Sequence, residues 1–168
     1  MPKLPRVIRL DQSDAHIFDA PAEPGEIAVP GGFAFADATP ETLSGRALIA
    51  FGQTFLGLGS FGRATIVQVA NVDEAEAEGA VQALARHFVE TWGAPDLDAA
   101  LPVARDEVAF AESLCEEHAP GQLLAVEREL EGEGDAARVR ERFRAVERPK
   151  GLDHGKVWTL VPDDGEEE

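Results

Sequence analysis

The chain has 168 residues, of which 44% are hydrophobic and 28% charged, which is the composition of an ordinary globular protein of one domain's length. Its unusual property is a net charge of −17 at pH 7. Such an acidic protein repels phosphate backbones and anionic lipid, so we expect neither nucleic acid nor membrane surfaces as partners. We predict a single domain over residues 1–162 and a disordered acidic tail, DDGEEE, over residues 163–168.

Targeting and disulfide signals are weak in this sequence. The first ten residues, MPKLPRVIRL, contain no apolar run of the kind found in signal peptides. The longest uncharged run, between Arg46 and Arg63, is too short to span a bilayer. Cys115 is the single cysteine and has no partner for an internal disulfide, which is usual in a reducing compartment. We therefore expect a cytoplasmic protein.

The N-terminal part of the chain has the composition of short strands. LPRVIRL (4–10) and AHIF (15–18) are predicted strands. EIAVPGGFAF (26–35) alternates apolar residues on both sides of its Pro-Gly-Gly sequence, which predicts a β-hairpin.

A helix and a buried strand are predicted next. Thr39 and Pro40 are typical of a helix start. The apolar residues that follow recur every three or four positions and predict one buried stripe: Leu43, Ala47, Phe51, Phe55 and Leu58. RATIVQVA (63–70) is rich in β-branched residues and is predicted as a buried strand.

Two further helices are predicted in the middle of the chain. Asp73 with Glu76 forms a capping-box pattern, and Gly93 is placed to end the helix that begins there. The predicted buried face of this helix is Val81, Leu84, Ala85, Phe88 and Trp92. A third helix is predicted over 102–118, with Val108, Ala111, Leu114 and Cys115 inward.

The C-terminal part returns to strands, predicted at GQLLAVEREL (121–130), RVRERFRAV (138–146) and GKVWTLV (155–161). Strands therefore cluster at both ends of the chain, without regular βαβ alternation. This order favours an α+β fold, with a mainly antiparallel sheet and about three helices packed on one face.

The run FLGLGSFGRATIVQVA (55–70) contains Gly57, Gly59 and Gly62 in the G-x-G-x-x-G spacing of phosphate-binding loops. In a dinucleotide site a strand precedes the glycines and a helix follows them, whereas here the predicted order is reversed. A kinase loop needs a lysine on the following strand, and RATIVQVA has none. We interpret the glycines as a helix stop at Gly57 or Gly59 and a tight turn at Gly62, and we predict no cofactor.

Four arginines alternate along RVRERFRAV and lie on one face of the predicted strand: Arg138, Arg140, Arg142 and Arg144. We call this row the arginine ladder. Glu127, Glu129 and Glu131 alternate in the preceding strand, so antiparallel pairing would place the two rows opposite each other. Two interpretations stay open. The face is neutralised by weak cross-strand ion pairs, or it binds a small anion or an acidic partner through its guanidinium groups.

Residues with acid–base chemistry are scattered in the sequence. Cys115 and His118 form a C-x-x-H pattern, but a zinc site needs three or four ligands, so we predict no metal and a structural, buried Cys115. An acid–base enzyme would draw on Glu112 with His118, or on Asp153 with His154. No nucleophile with an adjacent base can be assembled, so no catalytic residue is predicted.

The sequence resembles a small bacterial family of unknown function. The resemblance is carried by AVPGGFAFAD (28–37), FLGLGSFGRATIVQVA (55–70) and RERFRAVERPKGLDHGKVW (140–158), and it covers nearly the whole chain except the acidic tail. It transfers no activity and no catalytic residue. What it implies is a connection with a redox or cofactor-dependent enzyme system.

Three functional hypotheses follow from these features. The first is a non-catalytic accessory protein that binds another protein, because charge is patterned into ladders and no catalytic constellation is present in the sequence. The second is a small-anion binder that uses the arginine ladder. The third is a small acid–base enzyme built on the carboxylates and histidines named above.

Overall fold

The structure is a computed structural model that describes residues 2–8, 21–35, 43, 45–132 and 138–147. The strands are β1 (Lys3–Val7), β2 (Ala28–Val29), β3 (Phe55–Gly57), β4 (Arg63–Ala64), β5 (Ile66–Asn71), β6 (Leu123–Glu131) and β7 (Arg138–Val146). The α-helices are α1 (Gly45–Gln53), α2 (Glu74–Thr91) and α3 (Leu97–Cys115), and a short 3₁₀ helix covers Gly32–Phe35. Within the described ranges, no helix is long and apolar enough to cross a membrane.

Two antiparallel sheets organise the fold. Four strands form the larger sheet in the order β1-β5-β6-β7, and the smaller sheet has the order β2-β3-β4. The predicted α+β fold with mainly antiparallel pairing is confirmed.

Among the residues that the structure describes, most buried hydrophobic side chains belong to two clusters. One joins α2 and α3 to residues such as Leu4, Val29 and Val72. The other contains residues of both sheets, among them Phe55 and Val67. The second cluster also includes Leu124 and Val126 of β6, with Phe143 of β7 packed against it. The β6–β7 hairpin therefore links this cluster to the candidate site described below.

Local signals place α2 correctly. The Asp73 side chain accepts a hydrogen bond from the Glu76 backbone N–H, and the Glu76 side chain accepts one from the Asp73 N–H. Gly93 follows the helix with φ of +81°. Trp92, predicted on the buried face, is instead 46% exposed.

The predicted hairpin over 26–35 is wrong. Strand β2 ends at Val29 and pairs with β3, while Gly32–Phe35 winds into the 3₁₀ helix. The two halves of the alternating pattern are therefore not partners. Strand β3, which is more distant in sequence, pairs with β2 in place of the adjacent segment that the alternation predicts.

Two predicted helix boundaries are also corrected. Helix α1 ends at Gln53, so Phe55 lies in a strand rather than on the helical stripe. Helix α3 begins at Leu97 rather than at 102, because the Asp96 side chain caps it by accepting from the Ala99 N–H. The predicted strands at 15–18 and 155–161, the helix start at Thr39 and the acidic tail lie outside the described residues.

Candidate functional site

The glycine loop holds an internal carboxylate. It connects β3 to β4 as a hairpin, and the Glu26 carboxylate lies within it. Glu26 Oε1 accepts from the backbone N–H groups of Gly59 (2.8 Å) and Ser60 (2.7 Å), and Oε2 accepts from Ser60 Oγ (2.6 Å). A side chain at Gly57 would collide with the same carboxylate. The cradle that resembles a phosphate loop is therefore filled by the protein itself.

This geometry corrects the helix-stop interpretation of the glycines. Gly57 is a strand residue, and the residue of the loop with a left-handed backbone is Phe61, with φ of 59°. Partial burial works to raise the pKa of Glu26, but hydrogen bonds from Ser60, Glu23 and Gly59 outweigh it and hold the pKa below its usual value.

A buried ion pair lies within the β6–β7 hairpin. Arg128 and Glu141 are cross-strand partners, with Arg128 Nε 2.7 Å from Glu141 Oε2. The Arg128 side chain is fully buried, and that of Glu141 is 24% exposed. The sequence already indicated that these two residues point inward, because by strand alternation Arg128 lies on the same face as Val126, and Glu141 on the same face as Phe143. The prediction considered only the arginine ladder on the other face and missed them.

The guanidinium of Arg128 ties three segments together. Its Nη1 donates to the carbonyls of Phe51 (3.1 Å) and Thr54 (2.8 Å), at the end of α1, and its Nη2 donates to the carbonyl of Pro30. A buried arginine needs such partners because an unsatisfied guanidinium is costly. Arg128 therefore positions the 30–33 loop against the sheet.

The 30–33 loop depends on its two glycines. Gly31 has φ of +70°, and a side chain at Gly32 would meet Glu141 Oε2 at 2.7 Å. The loop thus passes directly over the buried ion pair. On its other side, the Gly31 N–H donates to Glu107 Oε2 at 3.2 Å.

Glu107 brings helix α3 into the site. Burial raises the pKa of this carboxyl group; the Gly31 N–H lowers it, the nearby Glu141 carboxylate raises it further, and Arg128 opposes that repulsion. The net direction is upward. Glu107 is thus a half-buried acid whose negative charge the surroundings compensate incompletely.

These groups line an open depression of about 330 Å³, which we call the Glu107 cleft. Its lining residues are Pro30, Gly32, Phe33, Glu107, Phe110, Val139 and Glu141. It combines carboxylates with two phenyl rings. The predictions from sequence missed it because its residues come from three separate segments, the 30–33 loop, α3 and β7.

Aromatic side chains extend the cleft on both sides. The Phe33 ring contacts Trp92 edge-on at 5.8 Å between centroids, and Phe110 contacts Phe143 at 5.8 Å. Trp92 Nε1 also donates to Nε2 of His87 at 3.1 Å. The cleft is therefore flanked by two aromatic pairs, one between the 30–33 loop and the end of α2 and one between α3 and β7.

The arginine ladder lies on the opposite face of the sheet. The register places Glu127 opposite Arg142 and Glu129 opposite Arg140. Ion pairs join Arg142 to Glu127 (2.8 Å), Arg144 to Glu127 (3.3 Å) and Arg140 to Glu131 (2.9 Å). The anticipated cross-strand pairs are therefore present, on side chains that are mostly solvent-exposed.

The remaining predicted residues are dispersed. Cys115 is buried, and burial raises the pKa of its thiol to about 11, as befits a packing residue. Glu112 lines a separate groove between α2 and α3, whereas His118 lies in the turn after α3, where its carbonyl accepts from Lys3 Nζ. Asp153 and His154 lie outside the described residues. In the described part of the chain, no three acidic, histidine or cysteine side chains form a metal-binding group.

The fold and this surface define a small α+β protein whose most distinctive feature is an acidic, aromatic cleft. The chain belongs to the family of unknown function DUF6505, whose model matches residues 1–159. The resemblance to an uncharacterised family is thereby confirmed over nearly the whole length. Searches of curated proteins and of solved structures find no match.

Proposed function

We propose that this chain is a cytoplasmic, non-catalytic accessory module that binds another protein through the Glu107 cleft and the apolar side chains around it. The observation that carries the proposal is that two exposed apolar side chains, Val103 and Phe110, share the face of α3 that carries Glu107. Large apolar side chains that the described residues leave exposed are Trp92, Leu97, Val103 and Phe110, with Leu48 elsewhere. Exposed apolar side chains that share one helix face beside a cleft, rather than scattered single residues, mark an interaction surface.

Helical geometry explains how these side chains act together. Val103 and Phe110 are seven residues apart in α3 and share a face with Glu107 between them. Val103 is 56% exposed and Phe110 41% exposed. Covering such groups releases about 25 cal/mol per Å² of apolar surface. A partner that lies along this side of α3 would therefore gain hydrophobic energy beside the acidic cleft.

The arginine ladder supports an anion-binding function less well. Arg140, Arg142 and Arg144 already pair with the glutamates of β6. An anion would have to displace those carboxylates to gain bidentate contacts. We place the partner on the α3 side for this reason, and we assign the partner to a redox or cofactor-dependent enzyme system, as the resemblance implies.

Site-specific photo-crosslinking in the native cell tests this proposal. p-Benzoylphenylalanine replaces Val103 in one variant, exposed Gly79 of α2 in a control, and Arg142 of the ladder in a third. We expect a discrete protein adduct from position 103 and none from position 79. No adduct at 103 would overturn the assignment, and an adduct confined to position 142 would move the interface to the ladder.

A further inference from the structure

The chemistry of the Glu107 cleft specifies what its partner presents. Building on the proposed function, we infer that the partner protein inserts one lysine or arginine side chain into the cleft, its aliphatic stem against Phe33 and Phe110 and its charged group at Glu107 and Glu141. Four observations on the described residues carry this inference.

The first observation is the sign of the accessible charge. The nearest cation, Arg128, does not line the cleft: its side chain is fully buried, and its nitrogens donate to Glu141 and three carbonyls. Arg63 lies under the same loop, stacked over Phe35 at 4.8 Å, and does not line the cleft. A ligand entering the cleft therefore meets carboxylate oxygens rather than guanidinium groups.

The second observation is the incomplete compensation of Glu107. Glu141 has Arg128 as its ion-pair partner, whereas the hydrogen bond found for the Glu107 carboxylate comes from one backbone N–H, that of Gly31. Both carboxylates face the same depression. A cation placed between them would stabilise Glu107 and relieve its repulsion from Glu141.

The third observation is the aromatic lining. Phe33 and Phe110 line the cleft and offer apolar contact for a methylene stem. The volume of about 330 Å³ lies at the small end of ligand sites, so it suits a single side chain better than a cofactor.

The fourth observation is the charge of the whole protein. With a net charge of −17, the protein attracts basic surfaces from a distance and repels acidic ones. A basic side chain flanked by apolar residues matches the cleft and also the exposed Val103 and Trp92 beside it. An acidic partner would match neither.

Nuclear magnetic resonance titration with small probes tests the cleft directly. n-Butylammonium and n-butylguanidinium are added to the ¹⁵N-labelled full chain. Butyrate is the anionic control, and butanol is the uncharged control. We expect saturable shifts of the Gly31, Gly32 and Phe33 amides with both cations only. Glu107→Gln should weaken the affinity about tenfold, since one charged partner is lost. Glu112→Gln, on the same helix but outside the cleft, should leave it unchanged.

Combining Glu107→Gln with the crosslinker at position 103 separates this inference from the proposed function. We expect weaker crosslinking, and a crosslinked partner peptide that contains a lysine or arginine. An undiminished adduct on a peptide without basic residues would overturn the inference and leave the function standing. If position 103 gives no adduct in the wild-type or the Glu107→Gln protein while the small cations still bind, the proposed function and this inference are both overturned. The cleft would then be a site for small cations. Absence of cation binding, with the adduct intact, would also overturn the inference.

Discussion

At the scale of single residues, position relative to the sheet determines what an arginine contributes. Arg128 and Arg142 belong to the same hairpin and each pairs with a glutamate across the strands. Arg128 is fully buried, whereas the Arg142 side chain is 72% exposed. Solvent screens the exposed pair, while removal of the buried cation leaves Glu141 and three carbonyls without a partner.

Substitution of these two arginines should therefore have very different effects. Arg128→Met should lower the free energy of unfolding by about 3–5 kcal/mol, whereas the matched control Arg142→Met, at a solvent-exposed position, should lower it far less. Urea denaturation of both variants measures the difference. Equal losses would show that Arg128 is not an internal structural link. If Arg128→Met fails to fold, Glu141→Gln provides a milder test of the same pair.

Glu26 gives a prediction with a defined pH dependence. Glu26→Gln removes the charge that the amides of Gly59 and Ser60 stabilise, and should cost roughly 1–2 kcal/mol at pH 7. Because the pKa of Glu26 is lowered on folding, this stabilisation is present above about pH 4.3, the unfolded value, and is lost as pH falls through the folded value.

Urea denaturation at pH 7 and at acidic pH measures this effect, with Glu23→Gln as the control. Glu23 is exposed in the same turn, and its backbone N–H rather than its side chain contacts Glu26. The stabilities of wild type and Glu26→Gln should converge at low pH. A constant difference across the pH range would contradict a role for the carboxylate charge.

At the scale of elements, two glycines in and directly after helix α2 have opposite roles. Gly79 lies in the exposed middle of the helix, and Gly93 follows its end with φ of +81°. A methyl group at either position would meet no atom within 4 Å. The two positions therefore differ in backbone conformation and not in available space.

Alanine at the two positions should shift stability in opposite directions. Gly79→Ala should stabilise the protein by about 0.5–1 kcal/mol, because it reduces the entropy lost on folding. Gly93→Ala should destabilise it by about 1–2 kcal/mol, because an L-residue is strained at positive φ. Thermal unfolding of both variants is the measurement, and a shift of the same sign in both would contradict this assignment.

Elements also differ in how far they could be predicted. The capping box of α2 and the register between β6 and β7 were predictable because each depends on near neighbours in sequence, with only a few residues between the two strands. The 26–35 hairpin failed because β3 competes for β2. Strand β3 lies more than twenty residues away, so the alternation within residues 26–35 contains no information about it.

At the scale of the whole molecule, a net charge of −17 produces self-repulsion in the folded state. Screening should relieve it, so sodium chloride raised from about 10 mM to 500 mM should increase the midpoint of thermal unfolding by a few degrees. Sucrose at equal osmolality is the control for effects that do not depend on charge. A decrease with salt would mean that the ion pairs of the ladder outweigh the net repulsion.

The amino-acid sequence by itself determined the class of the fold, the three helical regions and the pairing of acidic and basic rows along β6 and β7. These properties follow from periodicity, caps and parity, which are local. Only the tertiary structure decided that the Glu26 carboxylate fills the glycine loop, that Arg128 holds the 30–33 loop by a hydrogen bond, and that Glu107 faces Glu141. Those contacts join residues far apart in sequence, and each forms because packing brings a charged group to the one place where its partners can satisfy it.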